Sequence, residues 1–402
     1  MRPWLQQGRL WPDGRAVRWR VADGALREIA GEGGAPGRLP WIAPLLFDAQ
    51  VNGYAGVDFQ SDGLRPDDLE RAADAFAADG GGRFLLTLIS DDWDRLLERL
   101  GRYRAWRAES PLLQRRIAGW HVEGPFLSAA PGYRGAHVPA VLRDPRPEDV
   151  RRLRAVCGDD LLWLTLAPER HGALETVAEA RALGMAVWCG HTDAPAARLR
   201  AALAAGVCGF THLGNGCPAQ LDRADNILWR ALDLPEIRAT LIPDGLHVSP
   251  PLFRLIHRQI GRERIAYVTD AMSAAGAPPG RYRLGALETE VGADGIVRLP
   301  GTRQFAGSSL RPLVGVFRAA AMLGRGWAEV WDGFSRRPAA WAGLPWGWRE
   351  GQPADFCLIE ELETGSMAVT PYTEGRPRRR WIVGRSEDPD GLPAVERGMD
   401  EG

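Results

Sequence analysis

The sequence is poor in the features that mark membrane-spanning, nucleic-acid-binding and secreted proteins. Its 402 residues contain no apolar run approaching the ~20 residues that a membrane span needs. The 50 Lys and Arg residues are balanced by 51 Asp and Glu residues, so there is no excess of positive charge to hold nucleic acid or acidic lipid. Charges and a proline interrupt the N-terminal segment MRPWLQQGRLWPDGR, where a secretion signal needs an apolar core.

Cysteine is also scarce. The chain has five cysteines, an odd number, and no CxxC spacing, which fits a reducing compartment better than a disulfide framework. We therefore expect a cytoplasmic protein that has neither a nucleic-acid partner nor a membrane partner.

The composition is otherwise that of a globular protein. Hydrophobic residues make up 45% and charged residues 25% of the chain, both close to the globular average. The length suits one large α/β barrel with an accessory domain. The 16 tryptophans are scattered, and no basic groove accompanies them, so we assign them to packing.

An alternation of strands and helices runs from about residue 44 to 270. Eight short apolar segments are separated by longer segments with helical periodicity, which is typical of repeated βα units around a parallel sheet. The sequence therefore predicts a (β/α)8 TIM-like barrel over residues 44–344. The predicted strands lie in APLLFDAQ, RFLLTLIS, IAGWHVEG, LLWLTLAP, AVWCGHT, VCGFTH, RATLIPDGLH and RIAYVTD.

The two ends of the chain differ from this middle part. Residues 1–43 and 345–385 consist of short strands broken by turn-forming residues such as PDG and ADG. We expect both segments to pair into one small β-sandwich domain beside the barrel. Residues 386–402 are polar and rich in turn formers, and we expect a disordered tail there.

Polar residues follow several of the predicted barrel strands at the point where each strand ends. The carboxyl ends of barrel strands form the active-site face, so these side chains should converge on one rim. They are Gln50 and Asn52 (first strand), Glu123 (third), His191 (fifth), His212 (sixth), His247 (seventh) and Asp270 (eighth).

Three of these residues form a candidate metal-ligand set. A single buried histidine is more often a hydrogen-bonded core residue than a ligand. Together, however, Glu123, His191 and His212 suit a divalent transition metal that keeps a position free for water or substrate. Such a metal lowers the pKa of bound water to about 7, and Asp270 can then accept the proton.

Other polar residues look suited to holding a substrate. Arg134 and His137 lie on a glycine-rich loop, GYRGAH, after the third strand. Asn215, the backbone of Gly216 and Arg223 follow His212 closely and offer a cradle for an anion such as phosphate. The segment AGSSL, residues 306–310, either brings backbone amides to the site or caps a helix.

The motifs together resemble a known family. LLFDAQVNGYAGVDF, WHVEGPFLS, RGAH, CGHTDA, THLGN, DGLHV, VTDAMSAAG and AGSSL occur in the order seen in N-acetylglucosamine-6-phosphate deacetylases, a branch of the amidohydrolase superfamily. The resemblance implies a metal-dependent (β/α)8 barrel with a small β domain made from both termini. It also implies a hydrolase of amino-sugar metabolism that releases acetate from N-acetylglucosamine 6-phosphate and leaves glucosamine 6-phosphate.

The resemblance also assigns roles to residues. It implies that Glu123, His191 and His212 hold one divalent metal ion, usually zinc, and that Asp270 is the general base and acid. In the family the arginine matching Arg223 can reach the phosphate from a neighbouring subunit, which implies a homodimer. The substrate-contacting positions of the family fall on Gln50, Ala136, His137, Asn215, Gly216, Arg223, His247, Ala306 and Gly307.

The first strand departs from many amidohydrolases, which carry HxH there to bind a second metal. In this chain Gln50 and Asn52 stand in those places, and amides are poor metal ligands. A subset of the deacetylases with the same replacement works with one metal, so we predict a mononuclear site in which Gln50 bonds the substrate. The alternative is that both amides only tie down the loop.

Three other functions stay open from the sequence. Residues 214–217 lack the aromatic residue of the family, which enlarges the pocket and leaves another N-acyl amino sugar or N-acyl compound open as the substrate. A non-haem iron oxygenase also uses two His and one carboxylate, but it has no use for Asp270. A catalytically inactive relative that only binds ligands is disfavoured, because the metal and base positions are intact.

Overall fold

The structure is a computed structural model that describes residues 5–31, 39–384, 393 and 395–397. A parallel sheet of eight strands lies at its centre. Each strand pairs with its neighbours in chain order. The first and eighth strands meet through a parallel bridge between Val51 and Ala271, which brings the two edges together. The predicted (β/α)8 barrel is therefore confirmed. Its strands are Leu46–Val51, Gly81–Ile89, Ile117–Glu123, Leu161–Leu166, Ala186–Cys189, Gly209–Phe210, Arg238–Leu241 and Ile265–Tyr267.

Helices follow the barrel strands and bury one face each. Several begin with local signals that satisfy or remove free backbone N–H groups. The Asp92 side chain accepts from the Arg95 N–H, and Pro, which has no N–H, occupies the first turn of others. None of the helices among the described residues is long and apolar enough to span a membrane. The α-helices are Pro66–Ala78, Trp93–Glu109, Pro111–Arg116, Pro147–Cys157, Ala173–Ala182, Ala196–Ala205, Ile227–Leu232, Pro250–Ile260, Pro312–Leu323, Trp327–Val330 and Arg336–Trp341, and the 3₁₀ helices are Pro139–Val141, Arg262–Arg264 and Trp331–Phe334.

A second sheet joins the two ends of the chain. Trp41–Pro44 is at its centre, parallel to Leu5–Leu10 on one side and antiparallel to Phe356–Glu361 on the other. A small β domain built from both termini is thus confirmed. Within the described residues its strands are Leu5–Leu10, Arg15–Ala22, Ala25–Gly31, Trp41–Pro44, Phe356–Glu361, Met367–Thr373, Arg376–Pro377, Trp381–Val383 and Val395–Arg397.

Two strands of this sheet cross or lie beyond the predicted domain limits. Trp41–Pro44 spans the predicted boundary between residues 43 and 44. In the predicted tail 386–402, Val395–Arg397 pairs with Trp381–Val383, so these three residues form a strand where we expect disorder. Apart from residue 393, the rest of that tail lies outside the described residues.

A three-stranded antiparallel sheet is inserted after the eighth barrel strand. It consists of Gly280–Leu284, Leu287–Val291 and Val297–Arg298 and precedes the helix that begins at Pro312. A short hairpin, Gly53–Tyr54 with Val57–Asp58, follows the first barrel strand. Neither element was distinguished from the barrel loops in the sequence.

Asp48 ties the first barrel strand to the eighth from inside the barrel. Its Oδ2 accepts from the Thr269 backbone N–H at 3.0 Å and from the Thr269 hydroxyl at 2.6 Å. Its Oδ1 accepts from the Gln50 N–H at 3.0 Å. Burial raises the pKa of Asp48 to about 7, although these hydrogen bonds oppose the rise.

His121 makes a similar link across the barrel interior. Its Nδ1–H donates to the Ala49 carbonyl at 3.1 Å, and its Nε2 lies 2.9 Å from the Thr165 hydroxyl. That hydroxyl in turn lies 2.8 Å from the hydroxyl of Thr211. Burial lowers the pKa of His121 to about 4, so the imidazole is neutral at neutral pH. The side chains Asp48, Thr87, His121, Thr165, Thr211, Thr240 and Thr269 are all buried, and we call them the interior polar layer.

Candidate active site

A cavity of about 800 Å³ opens at the carboxyl ends of the barrel strands. It is lined by most of the residues that the sequence singles out, so residues far apart in the chain meet at one rim as the strand order requires. Of the predicted site residues, Gln50, Arg223 and Ala306 do not line it. Those that do are Asn52, Glu123, Ala136, His137, His191, His212, Asn215, Gly216, His247, Asp270 and Gly307.

Glu123, His191 and His212 form a buried cluster at the base of the cavity. The Oε1 of Glu123 lies 2.8 Å from the Nε2 of His212 and 3.6 Å from the Nε2 of His191. One ligand atom from each residue lies within 4.8 Å of the other two. Burial disfavours the charge on Glu123, but the two imidazoles outweigh it and hold the pKa of Glu123 well below its usual range. Two imidazole nitrogens and an ionised carboxylate fit a divalent transition metal.

His191 is held by loops from two other strands. Its Nδ1–H donates to the Tyr133 carbonyl at 2.9 Å, which leaves the Nε2 lone pair directed towards Glu123. Gly135 and Gly216 pack so closely that a Cβ on either would lie 2.8 Å from an atom of the His191 ring. Only glycine fits at these two positions, where φ is also positive.

The backbone is strained where the polar residues leave the strands. The backbone φ values are 48° at His191, 32° at His212 and 51° at Asp270. They lie in the left-handed region, which residues other than glycine rarely adopt. Such strain persists only where the surrounding structure enforces it, and it concentrates at functional sites. The three strand ends are therefore shaped to aim their side chains into the cavity.

Asp270 faces the cluster across the cavity. The Nδ2 of Asn52 donates to its Oδ1 at 2.8 Å. Burial, and then the charge of Glu123, raises the pKa of Asp270 to about 6. A carboxylate whose pKa lies near neutrality can accept a proton and return it, which is what general acid–base catalysis needs.

The two amides of the first strand each hold a carboxylate. Gln50 lies behind Glu123 and donates from Nε2 to the Glu123 Oε1 at 3.0 Å, while Asn52 orients Asp270. The Oε1 of Gln50 and the Oδ1 of Asn52 are buried without a hydrogen-bond partner among the described residues. The contact of Gln50 with substrate stays a prediction.

His137 stands beside the cluster. Its Nδ1 lies 2.8 Å from the Ser90 hydroxyl, and its Nε2 lies 3.8 Å from the Oε2 of Glu123. Burial, and then the neighbouring His191, lowers the pKa of His137 to about 3, so this imidazole is neutral at neutral pH. It can exchange a hydrogen bond with a polar, uncharged group of a ligand.

One segment of the cavity wall is not predicted from the sequence; it is formed by Arg303, Gln304 and Phe305. It follows the inserted three-stranded sheet, and the Nε2 of Gln304 donates to the Gly135 carbonyl at 3.0 Å. No motif marks this segment, although it directly precedes the predicted AGSSL turn. By contrast, the side chain of Arg223 is exposed and does not line the cavity of its own chain.

Comparison with known proteins gives a consistent result, although no family model matches the chain. The chain is 31% identical to an N-acetylgalactosamine-6-phosphate deacetylase of Escherichia coli O157:H7 over 83% of this chain and 87% of the relative. It is 30% identical to the N-acetylglucosamine-6-phosphate deacetylase of Vibrio furnissii over 86% of this chain and 82% of the relative.

The chain belongs to the N-acetylglucosamine-6-phosphate deacetylase family. Solved structures of this family share its fold. The enzyme of Mycobacterium smegmatis in complex with N-acetyl-D-glucosamine-6-phosphate has a TM-score of 0.79 at 27% identity, covering 93% of this chain and 99% of that chain. The enzyme of Thermotoga maritima has a TM-score of 0.78 at 25% identity, covering 92% and 98%. Membership of this amidohydrolase family and the buried Glu/His/His cluster together indicate a divalent metal.

Proposed function

We propose that this protein hydrolyses the N-acetyl group of N-acetylglucosamine 6-phosphate to give glucosamine 6-phosphate and acetate. The observation that carries the proposal is the meeting of the Glu123, His191 and His212 cluster with Asp270 in one cavity, in a chain of the deacetylase family. Amide hydrolysis needs an activated water, a stabilised oxyanion and a proton for the leaving amine. The cavity offers a group for each.

Glu123, His191 and His212 would hold a single zinc ion, because the first strand offers only amides where a second ion would need imidazoles. When bound, a divalent metal polarises the amide carbonyl and lowers the pKa of water. Gln50 supports the cluster by donating to Glu123, and the Tyr133 carbonyl fixes the ring of His191.

Asp270 is the proton carrier of the proposed reaction. Its carboxylate accepts a proton from the attacking water as the new C–O bond forms. It gives that proton to the amine nitrogen when the C–N bond breaks, so that acetate and the free amino sugar leave. Asn52 keeps the carboxylate in place by donating to Oδ1. His137, which is neutral and buried, is suited to bond the acetamide oxygen.

The phosphate end of the substrate needs positive charge. Arg134 and Arg303 both line the cavity, and His247 lines its wall. Asn215 and the backbone of Gly216 border the same space, as do Ala136 and Gly307. We assign the phosphate to the part of the cavity that these cationic side chains border.

Arg223 fits a role in a neighbouring copy of the chain. Its side chain is exposed, and its carbonyl accepts from the indole N–H of Trp229, a large apolar side chain that is 49% exposed. An exposed tryptophan beside an exposed arginine suits an interface. We propose a homodimer in which Arg223 completes the partner's phosphate site, and sedimentation analysis of wild type and Trp229→Glu tests it. A monomeric wild type would contradict it.

The experiment for the main proposal is acetate release by the full chain of known metal content. We expect turnover of N-acetylglucosamine 6-phosphate, loss of activity after chelation, and recovery at one zinc ion per chain. Unphosphorylated N-acetylglucosamine is the matched control and should turn over poorly. Equal turnover of both sugars would show that the phosphate is not recognised.

A second candidate substrate is N-acetylgalactosamine 6-phosphate. The relative of E. coli, 31% identical, is named for that epimer. Residues 214–217, GNGC, carry no ring on the cavity wall, which leaves room for a different hydroxyl orientation. The ratio of kcat/KM for the two epimers decides between them.

A further inference from the structure

The turn after the seventh barrel strand carries a tightly bonded carboxylate–imidazole pair. The Oδ2 of Asp244 lies 2.6 Å from the Nδ1 of His247, and the two side chains are only 5% and 9% exposed. The Oδ1 of Asp244 accepts from the backbone N–H groups of Leu246 and His247 at 2.8 and 2.9 Å. Both carboxylate oxygens of Asp244 are therefore hydrogen-bonded within the same turn.

This arrangement fixes the direction of the His247 ring. Because Nδ1–H donates to Asp244, Nε2 is the ring nitrogen left for the cavity that His247 lines. The ring also packs edge-on against Phe305, with centroids 4.9 Å apart. Phe305 belongs to the same wall segment as Arg303, and both His247 and Arg303 line the cavity.

The charges around His247 favour its protonated form. Burial alone lowers the pKa of His247, but the charge and hydrogen bond of Asp244 outweigh this effect and raise it. Asp270 raises it further, and His212 opposes it. Arg318 donates to the Asp244 carbonyl and keeps the turn in place. A buried imidazolium is a strong donor to an anion.

We propose that Asp244 is a positioning residue for substrate phosphate: it orients His247 and keeps Nε2–H directed into the cavity as a charged donor. This inference rests on the proposed function and deepens it. A purely structural role of Asp244 in closing the turn is the competing explanation, and it makes different predictions.

The test is a double-mutant cycle on the metal-loaded full chain. Asp244→Asn should raise KM for N-acetylglucosamine 6-phosphate about tenfold and change kcat little, because the charged hydrogen bond to the anion is weakened. His247→Gln should raise KM by a similar factor. In the His247→Gln background, Asp244→Asn should add nothing, because Asp244 acts through His247. An equal effect of Asp244→Asn in both backgrounds would overturn the proposal.

The pH dependence of KM distinguishes an effect of Asp244 on the charge of His247 from an effect on the folding of the turn. In wild type KM should stay low to a higher pH than in Asp244→Asn, in which His247 loses its proton earlier. With the unphosphorylated sugar as substrate the two proteins should have the same profile. A parallel shift for both sugars would instead indicate a structural role.

A spectroscopic readout is independent of turnover and so survives failure of the proposed function. With ¹⁵N-labelled histidine, His247 is assigned by its absence in His247→Gln. We expect both ring nitrogens to be protonated at neutral pH in wild type and one in Asp244→Asn, and inorganic phosphate to shift the wild-type signal. A neutral His247 in wild type, or no response to phosphate, would overturn the proposal whatever the enzyme hydrolyses.

Discussion

Two sets of buried polar side chains follow each other along the barrel strands, and they differ in whether their atoms have partners. In the interior polar layer, Asp48 accepts three hydrogen bonds and His121 uses both ring nitrogens. One to four residues further along the chain, at the rim of the cavity or just behind it, three buried atoms have no partner among the described residues: the Oε1 of Gln50, the Oδ1 of Asn52 and the Nδ1 of His212.

This difference distinguishes buried polar groups that stabilise the barrel from buried polar groups that are available to a ligand. A buried polar atom without a partner costs ~1–3 kcal/mol, so a protein keeps few of them without a reason. In the interior layer the bonds join strands and stabilise the closed barrel. At the rim, Asn52 and His212 line a cavity in which a ligand or water can satisfy unpartnered atoms, and Gln50 lies directly behind Glu123. Substitutions in the two sets should therefore damage different properties.

The largest expected effect is on activity, from the rim. Asp270→Asn should lower kcat by ~10²–10⁴-fold, because the amide cannot accept the proton from water. The thermal midpoint should barely change, since the Asn oxygen can still accept from Asn52. Acetate release and metal content are measured together, with the exposed Asp233→Asn as the matched control. A fully active variant would remove Asp270 from the mechanism.

The second largest expected effect is a loss of stability, caused by a substitution in the interior polar layer. Asp48→Ala leaves the Thr269 N–H and the Gln50 N–H without an acceptor inside the barrel, and it leaves the Thr269 hydroxyl only the Gln50 carbonyl, 3.5 Å away. At ~1–3 kcal/mol for each unpaired group, we expect the free energy of unfolding to fall by about 3 kcal/mol or more. Chemical denaturation measures it, with the exposed Asp159→Ala as the control. A loss no larger than that of the control would show that the layer does not stabilise the barrel.

A smaller effect is expected at the cavity mouth. Arg303→Ala should raise KM for the phosphorylated sugar about tenfold, the size of one charged hydrogen bond, and leave KM for the unphosphorylated sugar unchanged. Steady-state kinetics on both sugars measures the difference, and Arg262→Ala, which is exposed elsewhere, is the control. If KM rises equally for both sugars, Arg303 does not recognise the phosphate.

The smallest effect is a change in acid sensitivity. The pKa of His121 is about 4 in the folded protein and close to 6.5 in the unfolded chain, so its contribution to stability is present above 6.5 and is lost as the pH falls towards 4. His121→Gln removes this titration and should have a thermal midpoint that falls less over that range than the wild-type midpoint. Identical slopes would show that folding does not lower the pKa of His121.

The barrel and its rim were largely predictable from the sequence, because each buried strand is an apolar run that ends in a polar residue. This pattern marks four strand ends in the sequence, at Glu123, His191, His212 and Asp270. The strand order of a parallel barrel then brings them together. The same local signals do not say how two polar side chains bond each other. The pairing of Gln50 with Glu123 thus became visible only in the structure.

The cavity wall and the terminal sheet were less predictable, because they depend on contacts between distant segments. Arg303 reaches the cavity through an inserted sheet whose packing no local pattern specifies. Arg223 lies close to His212 in the sequence, yet its side chain is exposed. The parallel pairing of Leu5–Leu10 with Trp41–Pro44 also has no short-range signal.

The terminal sheet has a consequence for how the chain matures during synthesis. The strand Trp41–Pro44 pairs with Phe356–Glu361, which is synthesised roughly 300 residues later. At ~5–20 residues per second the interval is on the order of tens of seconds, during which one edge of the first strands has no neighbour. A transcript cut short before that segment would release a chain with an open strand edge, and its expected fate is aggregation and degradation as well as inactivity.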